Sequence, residues 1–223
     1  MARKCNAMNG LSALQVRLIG LLQQLQPPPV LFGGAAILAT VCAHRATRDL
    51  DLLWQPADDL VDVARQVASA IEAAGMRCDT VQRAPTFVRL RLDDGADTVL
   101  LDLVAHPGQP RADVVLANVA GQSVRVLSPQ GLMVGKLGAL LSREEGRDLD
   151  DLKQLLIAGG DLAQAVAAAP HHDAGFSCMV VVGLLRRWRM PVVAAAAGWS
   201  AEKTAEMEEF RDTLVGMLAD LVG

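Results

Sequence analysis

A chain of 223 residues is long enough for one ordinary domain with a smaller companion, and its core needs no disulfide or metal staple. Hydrophobic residues make up 52% of it, with unusually many alanines, and aromatic residues only 3%. The 21 Lys and Arg against 25 Asp and Glu give a formal net charge of −4, so the chain carries no global basic footprint for nucleic acid. Local basic patches remain open.

In chain order, LSALQVRLIGLLQQLQ places leucines at helical spacing and stops at Pro27-Pro28-Pro29, which predicts a helix and a rigid turn. Val30 to Phe32 reads as a short strand running into Gly33-Gly34, AAILATVCAH as a helix, and Asp49 to Trp54 as a second strand. Leu60, Val63, Ala64, Val67, Ala70 and Ile71 keep a 3.6-residue period and give the clearest helix of the chain. Three extended runs follow, around CDTVQ, TFVRLRL and DTVLLDLV, with Asp93-Asp94-Gly95 as the turn between the last two. SVRVLS is a candidate for one more strand. From Pro129 the pattern is helical to the C-terminus. The predicted fold is α+β: a mixed β-sheet with flanking helices in residues 1–128, then an all-helical region in residues 129–223.

Cys5, Cys42, Cys78 and Cys178 are far apart and contain no CxxC pair, so they fit neither a zinc site nor a disulfide framework. MARKCNAMNG lacks the apolar core of a signal peptide, and CMVVVGLLRRWRMPVVAAAAGW is broken by three arginines and a proline. The expectation is a cytoplasmic protein with reduced thiols and no membrane span.

The chemistry gathers in LFGGAAILATVCAHRATRDLDLLW. In a strand, residues i and i+2 share a face, so Asp49 and Asp51 project side by side while Leu50 and Leu52 pack. Carboxylates in so apolar a run are costly to desolvate unless something positive neutralises them, and a divalent metal ion meets that need. Asp102 is a lone carboxylate in the apolar run LLDLV. If its strand lies beside that of Asp49 and Asp51, three carboxylates converge, and Asp102 completes the metal site or accepts a proton from an attacking hydroxyl.

Gly33 and Gly34, at a strand-to-helix turn, would let the backbone approach a phosphate closely, with the N–H groups of the helix beginning near Ala35 offered to the anion. His44, Arg45 and Thr47 fall just before the aspartates, where a cation and a hydroxyl could meet phosphate oxygens. In KLGALLSREEGRDLDDLKQLL, Lys136 and Arg143 lie seven apart, two helical turns along one face. Asp148 and Asp151, three apart, open the next helix, while Leu149, Leu152 and Leu156 form its buried stripe. Lys136 suits a triphosphate as a point charge.

The ordered set (GG, then HRATRDLDL, then hydrophobic-Asp-hydrophobic, then K…R…RDLDDL) resembles the AbiEii/AbiGii toxin family of nucleotidyltransferases, to which the mycobacterial MenT toxins are similar. The resemblance runs from about Leu31 to Leu156. It implies a polymerase-β-like nucleotidyltransferase core and transfer of a nucleotide from an NTP, with Mg2+ or Mn2+, onto an acceptor hydroxyl. The acceptor in characterised relatives can be the 3′ end of tRNA, and such toxins are paired with an antitoxin. A small-molecule acceptor of the antibiotic-modifying kind, or a silent binding protein of the same fold, is the alternative. By the same resemblance Asp49 and Asp51 are the metal-binding aspartates, Lys136 is the essential lysine, and Asp148 is the first aspartate of an RDxxD segment. The helical region would complete the nucleotide site. The chain departs from the family at Ala35, where threonine is common, and at Asp150, where tyrosine is common; it is also short for the family.

Each feature has a plainer reading beside it. Asp148 and Asp151 can serve the helix dipole, with Arg143 and Arg147 as their salt-bridge partners. Asp93, Asp94 and Asp97 read as turn residues. His171-His172 sits in an expected loop. Arg186-Arg187-Trp188-Arg189 could grip RNA by charge and stacking, but a solvated helix end with one buried tryptophan is the preferred account.

Overall fold

The computed structural model describes residues 10–54, 60–105 and 113–221. Cys5 and the other residues before Gly10 lie outside them. The chain divides into two compact units, Met1–Ser128 and Pro129–Gly223.

The first unit is built on one seven-stranded mixed sheet in the order β3-β4-β5-β2-β1-β7-β6. In chain order its elements are α1 (Ala13–Leu22), β1 (Val30–Phe32), α2 (Gly33–Thr40), β2 (Asp49–Trp54), α3 (Leu60–Ala73), β3 (Arg77–Ala84), β4 (Phe87–Asp93), β5 (Thr98–Ala105), β6 (Val114–Val119) and β7 (Gln122–Leu127). Ser12 and Gln15 start α1 with a reciprocal capping box. Gln15 is fully buried and also donates from Nε2 to the Thr47 carbonyl at 3.1 Å, tying α1 to the approach of β2. The periodic stripe of α3 buries Leu60, Val63, Ala64, Val67 and Ile71, and α3 packs on β3, β4 and β5. Burial at about 1.5–3 kcal/mol per large apolar side chain makes that stripe a principal anchor of the helix.

Alternation in the strands sorts the two faces of the sheet. Leu50 and Leu52 of β2, Val88, Leu90 and Leu92 of β4, and Val99, Leu101 and Leu103 of β5 are all at most 2% exposed. The intervening positions carry Asp49 and Asp51, Arg89 and Arg91, and Asp102. One face is therefore the core and the other is polar. Asp93 and Asp94 close the β4–β5 turn, accepting hydrogen bonds from the N–H groups of Gly95, Ala96 and Asp97, as the turn reading expects.

Among the described residues the second unit contains only helices: α4 (Pro129–Ser142), α5 (Gly146–Ile157), α6 (Leu162–His172), α7 (Cys178–Arg187), α8 (Met190–Ala197) and α9 (Ala201–Asp220). Helix α4 packs on α5, α6 and α7, with Leu132, Met133, Val134, Leu137 and Leu140 buried. The fold is thus the expected α+β arrangement of a mixed sheet with flanking helices and an all-helical C-terminal region.

Four local expectations are corrected. Helix α2 begins at Gly33 rather than Ala35 and ends at Thr40, so Cys42 and His44 lie in the loop leading to β2. Helix α1 stops at Leu22, not Gln26. Strand β6, VVLANV, was not expected. His171 and His172 close α6 instead of lying in a loop: Pro170 removes one intrahelical N–H, yet Asp173 N still bonds Ala169 O at 2.9 Å. Trp188 is buried, while Arg186, Arg187 and Arg189 are exposed, in keeping with the solvated helix end. Cys42, Cys78 and Cys178 form no disulfide. Burial, helped by Glu72 and Asp79, pushes the Cys78 thiol up to about 11, so it is neutral at neutral pH. No described helix is long and apolar enough to cross a membrane.

Candidate active site

Strand β2 lies between β1, antiparallel, and β5, parallel. The β2–β5 register places Asp51 opposite Asp102 and Asp49 opposite Leu100. Since paired residues share a face, Asp49, Asp51 and Asp102 all stand on the polar side of the sheet. Asp49 and Asp51 are half-buried and Asp102 is buried.

On the β1 side, Asp51 pairs with Phe32 and its carboxylate lies over Gly33. A Cβ on Gly33 would run into Asp51 Oδ2 and stand 2.9 Å from its Cγ, and Gly33 also has φ +65°. Both facts make a side chain there costly. Gly34 is constrained by another neighbour: a Cβ would run into Nη2 of Arg45, with Cζ at 3.3 Å. The Gly-Gly pair thus brings a carboxylate and a guanidinium against the bare backbone that opens α2. Arg45 Nη1 donates to the Ala46 carbonyl at 3.0 Å. Thr47 Oγ1 is 3.4 Å from the Asp49 N–H and steadies the start of the strand. His44 places Nδ1 2.8 Å from the Cys42 carbonyl and so shapes the loop.

On the β4 side, register sets Arg89 opposite Asp102. Arg89 donates from Nε to Oδ1 and from Nη2 to Oδ2, each at 2.7 Å, a bidentate charge-assisted pair. The Asp102 hydrogen bond, with the charges of Asp49 and Asp51 adding, holds the Arg89 guanidinium above the usual arginine range. Its carbon stands 5.5 Å from the centre of the Phe87 ring. The expected role of Asp102, completing a metal site or taking a proton, therefore meets a competitor. Each Asp102 oxygen accepts one bond from Arg89 and keeps a further lone pair, and among the described residues no group of three His, Cys, Asp or Glu side chains is preformed for a metal ion. Asp49 and Asp51 remain as two carboxylates on one face. That donor set suits a hard divalent cation that fills the rest of its shell with water and phosphate oxygens. Sequence reasoning missed Arg89, although the alternation in FVRLRL already put both arginines on the face opposite Val88 and Leu90.

In the helical unit, Lys136, Arg143, Asp148 and Asp151 do come together. Lys136 Nζ lies 2.7 Å from Asp148 Oδ1 and 2.6 Å from Asp151 Oδ2. Arg143, just beyond α4, donates from Nε to Asp148 Oδ2 at 2.7 Å and from Nη2 to Oδ1 at 3.1 Å. The Lys136 side chain is 8% exposed, and those of Asp148 and Asp151 are fully buried. Burial drives the Asp148 carboxyl upward, but the Arg143 hydrogen bond and the Lys136 charge outweigh it and hold the group below the usual carboxylate range. Arg147 pairs with Glu145. Asp150, where the family commonly has tyrosine, is buried and bonded to Lys203 at 3.0 Å.

A family model described as nucleotidyl transferase AbiEii toxin, type IV toxin–antitoxin system, matches residues 18–220. No curated protein matches the chain in sequence. Among solved structures, the MenT4 nucleotidyltransferase toxin of Mycobacterium tuberculosis superposes with a TM-score of 0.61 at 17% identity, covering 93% of this chain and 82% of that one. JHP933 of Helicobacter pylori gives 0.55 at 17% identity, covering 95% and 96%. A nucleotidyltransferase-like antigen of Paracoccidioides brasiliensis gives 0.51 at 18% identity, covering 84% and 94%. At such identities the structures speak for a shared fold, whereas the family match spans nearly the whole chain. The chain belongs to the AbiEii nucleotidyl transferase toxin family of type IV toxin–antitoxin systems, and is a nucleotidyltransferase.

Proposed function

We propose that this toxin transfers a nucleoside monophosphate from an NTP to the hydroxyl of an acceptor, the 3′ end of tRNA, in the cytoplasm, in a reaction that requires Mg2+ or Mn2+. The observation that carries the reading is the arrangement at the C-terminal end of β1: Asp51 against Gly33, Arg45 against Gly34, and Asp49 on the same face of β2.

Asp49 and Asp51 would hold the divalent ion, whose contribution when bound is to neutralise phosphate oxygens and the departing pyrophosphate. Without a Cβ at Gly33 or Gly34, the Asp51 carboxylate and the Arg45 guanidinium come against the backbone that opens α2, so the metal-holding carboxylate and a cation would stand beside the N–H groups offered to the anion. Arg45 supplies positive charge beside that turn. The acceptor hydroxyl oxygen forms a bond to the α-phosphorus, the bond from that phosphorus to the bridging oxygen breaks, pyrophosphate leaves, and the hydroxyl proton passes to solvent. His44 and Thr47 shape and fix the loop that carries Arg45. Lys136 and Asp148 take their functional assignment from the family resemblance, with Arg143 and Asp151 as the groups that hold them in place. The family also implies a cognate antitoxin.

The test is incubation with each α-32P-labelled NTP, total tRNA and Mg2+, resolved on a denaturing gel. Label in tRNA, lost in Asp49→Ala and Asp51→Ala variants that remain folded, is the expected result. Unchanged transfer in both variants contradicts the assignment, and label confined to a small-molecule fraction replaces tRNA as the acceptor.

A further inference from the structure

We infer that Arg89, held in place by Asp102, is an acceptor-side contact that binds a phosphate of the incoming RNA. The inference rests on the nucleotide site proposed above. It starts from the order of strands β4-β5-β2-β1. The bare Gly33-Gly34 turn and Arg45 stand on the β1 side of the carboxylate pair. Arg89 stands on the opposite side, on β4, two strands and roughly 10 Å from β2. In phosphoryl transfer the attacking and leaving oxygens lie in line, on opposite sides of the phosphorus. With the triphosphate at the Gly33-Gly34 turn, the acceptor approaches across β5 and β4.

The polar face there carries three cross-strand Arg–Asp pairs: Arg77 with Asp93, Arg91 with Asp79, and Arg89 with Asp102. The first two are exposed, on partners with at least 29% of each side chain accessible. Only Arg89 combines a buried anchor with an accessible head: the Asp102 side chain is 9% exposed and the Arg89 side chain 35%. Asp102 takes Nε and one N–H of Nη2, which leaves both N–H groups of Nη1 and one of Nη2 for an oxygen acceptor. A planar guanidinium pinned along one edge and backed by Phe87 loses little freedom on binding phosphate through the other. Asp102 acts through Arg89 and is a positioning residue.

The test compares the wild-type chain with Arg89→Gln, which removes the guanidinium and leaves Asp102 in place, and with Arg89→Lys, which keeps a cation against the buried carboxylate so that folding is preserved. Titrations with Mg2+ and each NTP are set beside fluorescence anisotropy of 5′-fluorescein-labelled tRNA across a salt series. Arg89→Gln should bind tRNA about tenfold more weakly, with a salt slope lower by about one, and bind the NTP within about twofold of wild type. Arg89→Lys, which keeps the charge but lacks the planar fork, should fall between them with an unchanged salt slope, as should Asp102→Asn, which is read for tRNA binding alone. Unchanged tRNA binding in folded Arg89→Gln, an equal loss of NTP binding in that variant, or wild-type protein that binds NTP but no tRNA would overturn the inference. Wild-type protein that binds no NTP would instead sink the nucleotide site itself.

Discussion

Replacing Lys136 with methionine keeps an unbranched side chain of similar volume and removes one charge. In the native structure Lys136 stands 2.7 and 2.6 Å from two fully buried carboxylates, and with Arg143 the four groups are electrically neutral. The variant retains Asp148, Asp151 and Arg143, a net negative charge among buried residues. Removing one partner of a buried ion pair costs about 3–5 kcal/mol. The Arg143 side chain, 42% exposed, still covers Asp148, so the lower end of that range is expected. Urea unfolding at neutral pH measures it directly, with an unchanged m-value showing that the same surface is exposed. Adding Asp151→Asn restores neutrality and should recover about 1–3 kcal/mol. A loss below about 1 kcal/mol, or strict additivity in the double variant, would refute the reasoning. The result bears on function, because lost transfer in Lys136→Met reports on the nucleotide only where the protein is still folded.

Two further outcomes follow from the same geometry. Gly34→Ala should weaken NTP binding with little loss of stability, because its Cβ meets the end of the flexible Arg45 side chain. Gly33→Ala should also cost about 1–2 kcal/mol for its positive φ; calorimetric titration and thermal melts separate the two, and equal effects would contradict the account. Asp148 titrates below its ordinary value near 3.8 in the native state. In that window the unfolded chain binds more protons, so the stability due to Asp148 is present above pH 4 and is lost as pH falls through the lower native value. Asp148→Asn should flatten this acid limb in stability measured from pH 7 to 2, and an identical slope would remove Asp148 as its source.

The sequence was most informative where chemistry and local pattern coincide. Asp49-Leu50-Asp51 and Leu101-Asp102-Leu103 each announce a strand with a carboxylate on the face opposite the packed leucines, and the parallel register of β2 and β5 puts Asp51 beside Asp102. Helical spacing put Asp148 and Asp151 on one face of α5, whereas Arg143, expected on the face of Lys136, lies one residue past the end of α4 and reaches Asp148 from there. Arg89 was not legible, since its partner is chosen by the β4–β5 register, a non-local property. The meaning of Gly34 was hidden for the same reason: only the folded loop brings Arg45 onto it. Helix α6 ran past the expected boundary because the alanine-rich AVAAA segment carries enough helical propensity to absorb Pro170 near its end. Strand β6, short and with only Val119 buried, lacks the alternation that marks β4.

The central claim is a metal-dependent nucleotide site on β1, α2 and β2, and isothermal titration of the protein with each of the four NTPs, first with Mg2+ and then with EDTA, tests it most directly. The account predicts binding of at least one NTP that needs Mg2+ and disappears in a folded Asp49→Ala variant. Equal binding in EDTA, or undiminished binding by Asp49→Ala, would contradict it.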